Sequence, residues 1–323
     1  MINVVMITEN PIAGAPLNLC RALNKYQGDK VKARCIAQSD RNENRIFGAD
    51  IIIDNTPYEE LKQVLEQADV IHFHNFYRNQ HLFRKYTDLW QIVMKKKRVW
   101  QVHSPRETRW VNLEEALTDH HMKKLVIGQY HPRQWPECTV VPNIIDIWDD
   151  RLTPHWTMNE KLRVAYSPSR IGFKGWDNKS YETVAPVLQQ LVDEGYITAE
   201  IIHNVPYDEC LARRSKADVV IDEISTGSFH LVSLESLSAG LVTIAGLDRI
   251  QIDTLLKLTG SSEAELPWVI ARDNEFSLKR NLVQMADNYS DVVGHKYKSR
   301  NWMERYWEPA DLTQQFVDIY NTL

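Results

Sequence analysis

The sequence predicts an α/β protein with doubly wound parallel sheets in two domains, and three observations lead there. The first half alternates short β-rich runs with helical stretches, as a parallel sheet with crossover helices requires. The stretch Ala217–Gly246 (ADVVIDEISTGSFHLVSLESLSAGLVTIAG) repeats that grammar as apolar strand, polar Ser/Thr/Gly loop, helix, Gly240 stop and apolar strand. At 323 residues the chain also exceeds the usual span of one hydrophobic core.

In order, Ile2–Thr8 reads as a strand, Leu17–Tyr26 as a helix, Val31–Ala37 and Asp50–Asp54 as strands and Tyr58–Gln67 as a helix. Val70–His74 follows as a strand, Gln80–Met94 as a helix, and Arg98–His103 and Leu125–Gln129 as strands. The polar, Pro-containing stretch 146–159 marks the boundary, giving domains over 1–150 and 151–300 and a tail over 301–323. The second domain reads as strand Leu162–Ser167, helix Tyr181–Glu194 despite Pro186, strand Thr198–His203 and helix Tyr207–Lys216. After the Ala217–Gly246 unit, with its helix at His230–Ala239, come helix Ile252–Leu258, strand Trp268–Ala271, helix Ser277–Tyr289 and a final helix Leu312–Leu323.

A formal charge of −5 argues against a duplex-DNA binder that works through a broad basic face. The run Lys95-Lys96-Lys97-Arg98 reads as a helix C-terminus favoured by the helix dipole and left in solvent, with a membrane or nucleic-acid patch as the lesser alternative. Cys20, Cys35, Cys138 and Cys210 have no close-pair spacing, so neither a zinc site nor a disulfide framework is indicated, and a reducing cytoplasm fits best. Met1–Ile7 is apolar but meets Glu9-Asn10-Pro11 too soon for a signal peptide or membrane span.

Ligands of an open parallel sheet lie beyond the carboxyl ends of its strands, where loops and helix N-termini offer unpaired N–H groups. Ser225–Phe229 is therefore placed to meet a phosphate, and Ser228, Phe229, His230 and Leu231 lead into the helix. Glu235, in the first two turns, can accept from the vicinal hydroxyls of a ribose; a solvated helix glutamate is the plain alternative. Glu9–Pro16 is the first strand-to-helix loop, with Gly14 and Ala15 offering main chain to a ligand or forming an ordinary turn. In Asp69-Val70-Ile71-His72-Phe73-His74-Asn75 the period of two puts both histidines on one face at the ligand-bearing end. They serve there as site residues or as structural caps; metal ligation lacks an acidic or cysteine ligand to complete a set. His103 ends the next strand, where its imidazole can hydrogen-bond a ligand and respond to nearby charge. Arg170 and Lys174 flank a glycine-bearing loop after a strand and can clamp a diphosphate, or stand as solvated cations.

At these residues a resemblance emerges. Ser233–Gly240 (SLESLSAG) followed by Leu241–Ala245 resembles the donor-binding signature of retaining GT-B glycosyltransferases of family 4. Asp69–Asn75 is similar to that family's "DvvHaH" strand, His103 to its "T-x-H" histidine and Thr139–Asp146 to its "v-i-P-N-g-v-D" run, with Ile144 where glycine is common. Arg170–Gly175 resembles its "G-R-l…K-G" loop. The resemblance implies two Rossmann-like domains facing each other across a cleft, with the tail crossing back to the first. It implies a nucleotide-sugar donor, UDP- or GDP-linked, held mainly by the second domain, and retention of configuration with no required cofactor or metal. Arg170 and Lys174 would hold the diphosphate, Glu235 the ribose, His103 the donor sugar, and the loop from His203 to Pro206 the base.

One position departs from the pattern. Eight residues before Glu235, where the family has a glutamate beside the donor sugar, stands Gly227. Either Glu223 or Ser225 substitutes, the donor differs in shape, or the protein binds a nucleotide sugar without turning it over. The acceptor is open, and nucleic acid is not favoured, because only Lys95–Arg98, Arg106 and Arg109 cluster.

Overall fold

The computed structural model describes residues 1–10, 12–38, 48–75, 83, 85–106, 113–156, 159–169, 171–172, 179–272 and 274–323. Arg109, Arg170 and Lys174 lie outside the described residues. The chain divides into two compact units, Met1–Asp146 with Pro309–Leu323, and Ile147–Glu308.

The first unit runs β1 (Ile2–Thr8), α1 (Ala15–Tyr26), β2 (Val31–Ala37), β3 (Ile51–Ile52), α2 (Tyr58–Gln67), β4 (Val70–His74), α3 (Leu89–Met94), β5 (Lys97–Val102), α4 (Leu113–Thr118), β6 (Met122–Ile127) and β7 (Thr139–Val141). Its sheet is parallel, in the order β3-β2-β1-β4-β5-β6-β7. Helices cover its faces, so β4 has no exposed residue and reads as an unbroken buried run. The order reverses between β1 and β4, which makes the crevice at their carboxyl ends the natural ligand position of this sheet.

Two local expectations differ from what is observed. Of the helix expected over Gln80–Met94, residues 80–82 and 84 lie outside the described residues; α3 covers Leu89–Met94, and ahead of it the Tyr86 and Leu89 amides donate to the Phe83 and Tyr86 carbonyls in successive turns beside buried Phe83. In the basic run, Arg98 is not in solvent. It starts β5 buried, donates to the Met94 carbonyl at 2.5 Å and pairs with Asp119 at 2.9 Å, so it caps α3 from inside the protein.

The second unit runs β8 (Arg163–Tyr166), α5 (Tyr181–Asp193), β9 (Thr198–Ile201), α6 (Tyr207–Arg214), β10 (Val219–Ile221), α7 (Leu231–Ser238), β11 (Val242–Ala245), α8 (Arg249–Thr259), β12 (Val269–Ile270), α9 (Glu275–Asp287) and α10 (Tyr289–Tyr306). Its parallel sheet has the order β12-β11-β10-β8-β9, reversing between β8 and β10. The loops after β8 and β10 therefore meet at its switch point. The long helix α10 has no counterpart in the sequence reading. Its buried positions include Lys296, Ser299 and Arg300, whose polar groups are satisfied inside: Lys296 lies 3.4 Å from Asp218, and Arg300 donates to the carbonyls of Ile147 and Ser238.

The final helix, α11 (Pro309–Asn321), belongs to the first unit and packs on α1. Gln27 donates to the Ala310 carbonyl at 2.8 Å, and the Tyr320 hydroxyl meets His72 Nδ1 at 2.9 Å. Among the described residues no helix is long and apolar enough to cross a membrane.

Candidate functional site

At the switch point of the second unit, β10 ends in two buried carboxylates, Asp222 and Glu223. Asp222 accepts from the His230 amide at 2.6 Å and the Ser233 hydroxyl at 2.8 Å, and Lys179 Nζ lies 3.2 Å away. Burial would raise its pKa, but Lys179 and then His230 outweigh burial and hold it well below the carboxylate range. Glu223 accepts from the amides of Ser225, Thr226 and Ser228 and from the Thr226 hydroxyl. The carboxylate offered by sequence as a substitute for the missing glutamate is thus turned into its own loop, which it shapes.

These bonds decide which donors α7 offers a ligand. The Ser228 and His230 amides, expected to face a phosphate, are taken by Glu223 and Asp222. The Ser228 hydroxyl is buried against Gln251, and Phe229 is buried against Trp268. Leu231 and Val232, the first two helical residues, keep amides with no partner among the described residues, so the open N–H donors of the α7 N-terminus narrow to them.

Glu235 lies one turn further on and is buried. Its Oε1 accepts from the Tyr207 hydroxyl at 2.5 Å and its Oε2 from Arg214, which is itself buried. Burial, followed by the Glu235 charge, pushes the Tyr207 phenol well up, so it stays a donor. For Arg214 burial acts downward, and the Glu235 charge more than offsets it. By acceptor capacity alone, each carboxylate oxygen can take one further hydrogen bond beyond these. Tyr207 and Arg214 were not legible as site residues, since they sit 28 and 21 positions away on α6 with no local pattern linking them to Glu235. Asp222 stands nine residues before α7, outside any cap position, so its bonds to the His230 amide and the Ser233 hydroxyl had no local signature either. His203 is exposed just after β9, and Asn204 beside it is left-handed (φ 55°).

Gly227 is left-handed as well (φ 79°), and a Cβ there would lie 2.5 Å from Asp248 Oδ2. Asp248 is held in place: it donates its amide to the Gly227 carbonyl and caps α8 through the Gln251 amide. Gly227→Glu is therefore expected to lower stability by about 1–3 kcal/mol through backbone strain and the clash, without adding activity. Urea unfolding and a turnover assay check this, and an unchanged midpoint with raised turnover would contradict it.

In the first unit the expected residues lie at strand ends and loops on the carboxyl edge of the sheet, after β1, in β4 and after β5. Gly14 (φ 81°) precedes α1, whose first residue, Ala15, is buried. His72 and His74 share one face, their rings stacked at 4.4 Å. His74 Nδ1 lies 2.9 Å from His103 Nε2, so the three histidines form one chain ending at His103 just past β5. Burial lowers all three: His72 and His103 to about 3, and His74 well below its ordinary value. His103 keeps some accessible surface, so the firmer depression belongs to the two fully buried strand histidines. Asn75, which sequence reading passed over, accepts the His103 amide at 2.6 Å and donates to the Ser104 hydroxyl at 2.9 Å. Among the described residues no group of three or more His, Cys, Asp or Glu is arranged to hold a metal ion.

Solved structures share this architecture along the whole chain. An alpha-glucosyltransferase in complex with UDP-glucose and DNA containing an abasic site matches at 12% identity and a TM-score of 0.61, over 99% of each chain. The Anabaena protein HepE in complex with UDP and glucose matches at 13% and 0.64, over 100% of each. A sucrose-phosphate synthase from Thermosynechococcus elongatus matches at 11% and 0.59, over 100% of this chain and 99% of that one. The chain has the GT-B fold. No family profile and no curated protein matches the sequence. In the GT-B chain described here, the Asp222–Glu235 segment and the His72–His103 chain each lie at the carboxyl edge of a parallel sheet.

Proposed function

We propose that the protein is a glycosyltransferase resembling family 4, which moves a sugar from a UDP- or GDP-linked donor to an acceptor hydroxyl with retention of configuration. The observation that carries this reading is the first turn of α7. Amides at Leu231 and Val232 with no partner among the described residues lie one turn before a carboxylate, Glu235, that Arg214 and Tyr207 hydrogen-bond and orient. On this reading the amides meet the diphosphate together with Arg170 and Lys174, neutralising the charge that builds on the leaving oxygen. Glu235 receives the ribose hydroxyls, and His103 the donor sugar. Gly14 and Ala15 lend main chain, and the loop beginning at His203 borders the base. Four free cysteines agree with a reducing compartment such as the cytoplasm.

The rival reading is a subunit that binds a nucleotide sugar without turnover. Gly227 favours it, because Asp248 fills its side-chain direction and Glu223 is committed to the loop. A DNA acceptor draws little support: Arg98 is buried against Asp119, and Arg106 is paired with Glu137.

The test is a thermal-shift and calorimetric screen against UDP-, GDP-, ADP- and dTDP-sugars, with an Arg170→Ala/Lys174→Ala variant and a hydrolysis assay on any hit. A ligand at a hundredfold excess over its Kd adds about 2.7 kcal/mol of stability. A hit lost in the variant, with slow sugar release, is the expected result. Binding without turnover, even with candidate acceptors, would favour the rival, and no binding at all would remove both.

A further inference from the structure

We infer that His74, with Asn75, is a positioning residue that holds His103 as the Nδ1–H tautomer, so that His103 presents a hydrogen-bond donor to an oxygen of the sugar donor. The ligand's identity rests on the transferase reading; the tautomer does not.

The geometry leaves one proton between His74 Nδ1 and His103 Nε2, which are 2.9 Å apart. In one arrangement His103 Nε2–H donates, and the single proton of neutral His74 must then sit on its own Nε2. That atom is fully buried and has no hydrogen-bond partner among the described residues, so it would be an orphaned N–H inside the protein. In the other arrangement His74 Nδ1–H donates, and the buried Nε2 is a bare lone pair. Orphaned buried N–H groups are rarer than under-satisfied acceptors, which selects the second. Burial, complete for His74 and partial for His103, favours the neutral form of both rings, so the contact is shared by two neutral imidazoles. His103 Nε2 is then an occupied acceptor, and its proton lies on Nδ1, which makes no hydrogen bond to any described residue.

The remaining contacts immobilise this arrangement. Asn75, left-handed at φ 62°, accepts the His103 amide, donates to Ser104 and takes the Trp100 indole N–H on its carbonyl, which ties the end of β4 to the end of β5. On the other side the His74 ring is stacked on His72, which is bonded in turn to Tyr320 of α11. The stack on His72 and the burial of His74 thus oppose rotation away from His103, and the chain runs from the helix α11 to a ring at the sheet edge.

The test uses the full-length protein labelled with 15N-histidine. Long-range 1H–15N correlations read each ring's tautomer, and the signals of His103 are assigned by their loss in His103→Gln. Wild type is expected to show His103 protonated on Nδ1. His74→Phe keeps the stacked ring but removes the donor, and should release His103 to the Nε2–H form. His74→Asn places an amide N–H near the lost Nδ1–H and should restore the wild-type tautomer. In turnover, His74→Phe should lower kcat by about 10–100-fold, the range found when a partner that fixes the tautomer of a metal-bound histidine is lost, with donor KM little changed and His74→Asn recovering most of it. An Nε2–H His103 in wild type, which needs no variant to measure, overturns the inference. So does a His103 tautomer that is the same in wild type and His74→Phe. If the tautomer shifts as expected while wild type turns over no nucleotide sugar, the positioning role stands and only the transferase reading fails.

Discussion

Arg214→Met is expected to destabilise the unit Ile147–Glu308 by about 3–5 kcal/mol, the usual loss when one partner of a buried ion pair is removed. The side chains of Arg214 and Glu235 are 4% and 3% exposed, so the carboxylate left behind has the Tyr207 hydroxyl but no cation and little water. The double variant Arg214→Met/Glu235→Leu should recover most of that loss, because a buried pair replaced by apolar residues of similar volume is often neutral or stabilising. Nucleotide-sugar binding should be lost in the double variant even though it folds. Urea midpoints for wild type, both single variants and the double variant close the cycle. A loss under about 1 kcal/mol in Arg214→Met would mean that the pair with Arg214 is not what orients Glu235.

Stability of the first unit is expected to fall steadily as pH drops below about 6.5, the ordinary histidine value. His72, His74 and His103 all titrate lower when folded than when unfolded, since burial penalises the imidazolium. The sign follows from proton counting. Between the folded and unfolded values the unfolded chain binds more protons, so stability rises with pH there. The contribution of these groups is complete above the unfolded value and is lost as pH falls from it toward about 3. Each can contribute a slope of up to ~1.4 kcal/mol per pH unit, with His103 giving the least because it keeps some accessible surface. Unfolding midpoints measured from pH 7.5 down to pH 4.5 should therefore slope in wild type and flatten in a His72→Gln/His74→Asn variant. A wild-type profile flat across that window would show that the strand histidines are not held neutral by burial.

Much of the molecule was legible before the structure. The parallel sheets betray themselves because strands buried on both faces are continuous apolar runs, as in Val219–Ile221 and Val242–Ala245. The pairing of His72 with His74 on one face follows from a period of two, which the backbone enforces whatever surrounds it. Other features broke the periodic signal. Helix α10 escaped because part of its inward face is polar, and Lys296 and Arg300 are tolerated there only because Asp218 and two backbone carbonyls meet them. Arg98 read as a solvated cation for the same reason, since nothing near it in sequence announces Asp119.

What the sequence by itself determined is the set of elements and the loops that reach the carboxyl edges, because both rest on local periodicity and on the chirality of crossover connections. Only the tertiary structure decided which atoms in those loops remain available. Asp222 and Glu223 consume amides that the sequence offered to a phosphate, Arg214 and Tyr207 hold Glu235, and His74 occupies one nitrogen of His103. Each of those outcomes depends on a distance through space between residues on different elements. A buried polar group takes whichever partner the packing brings within reach, and sequence spacing carries no measure of that.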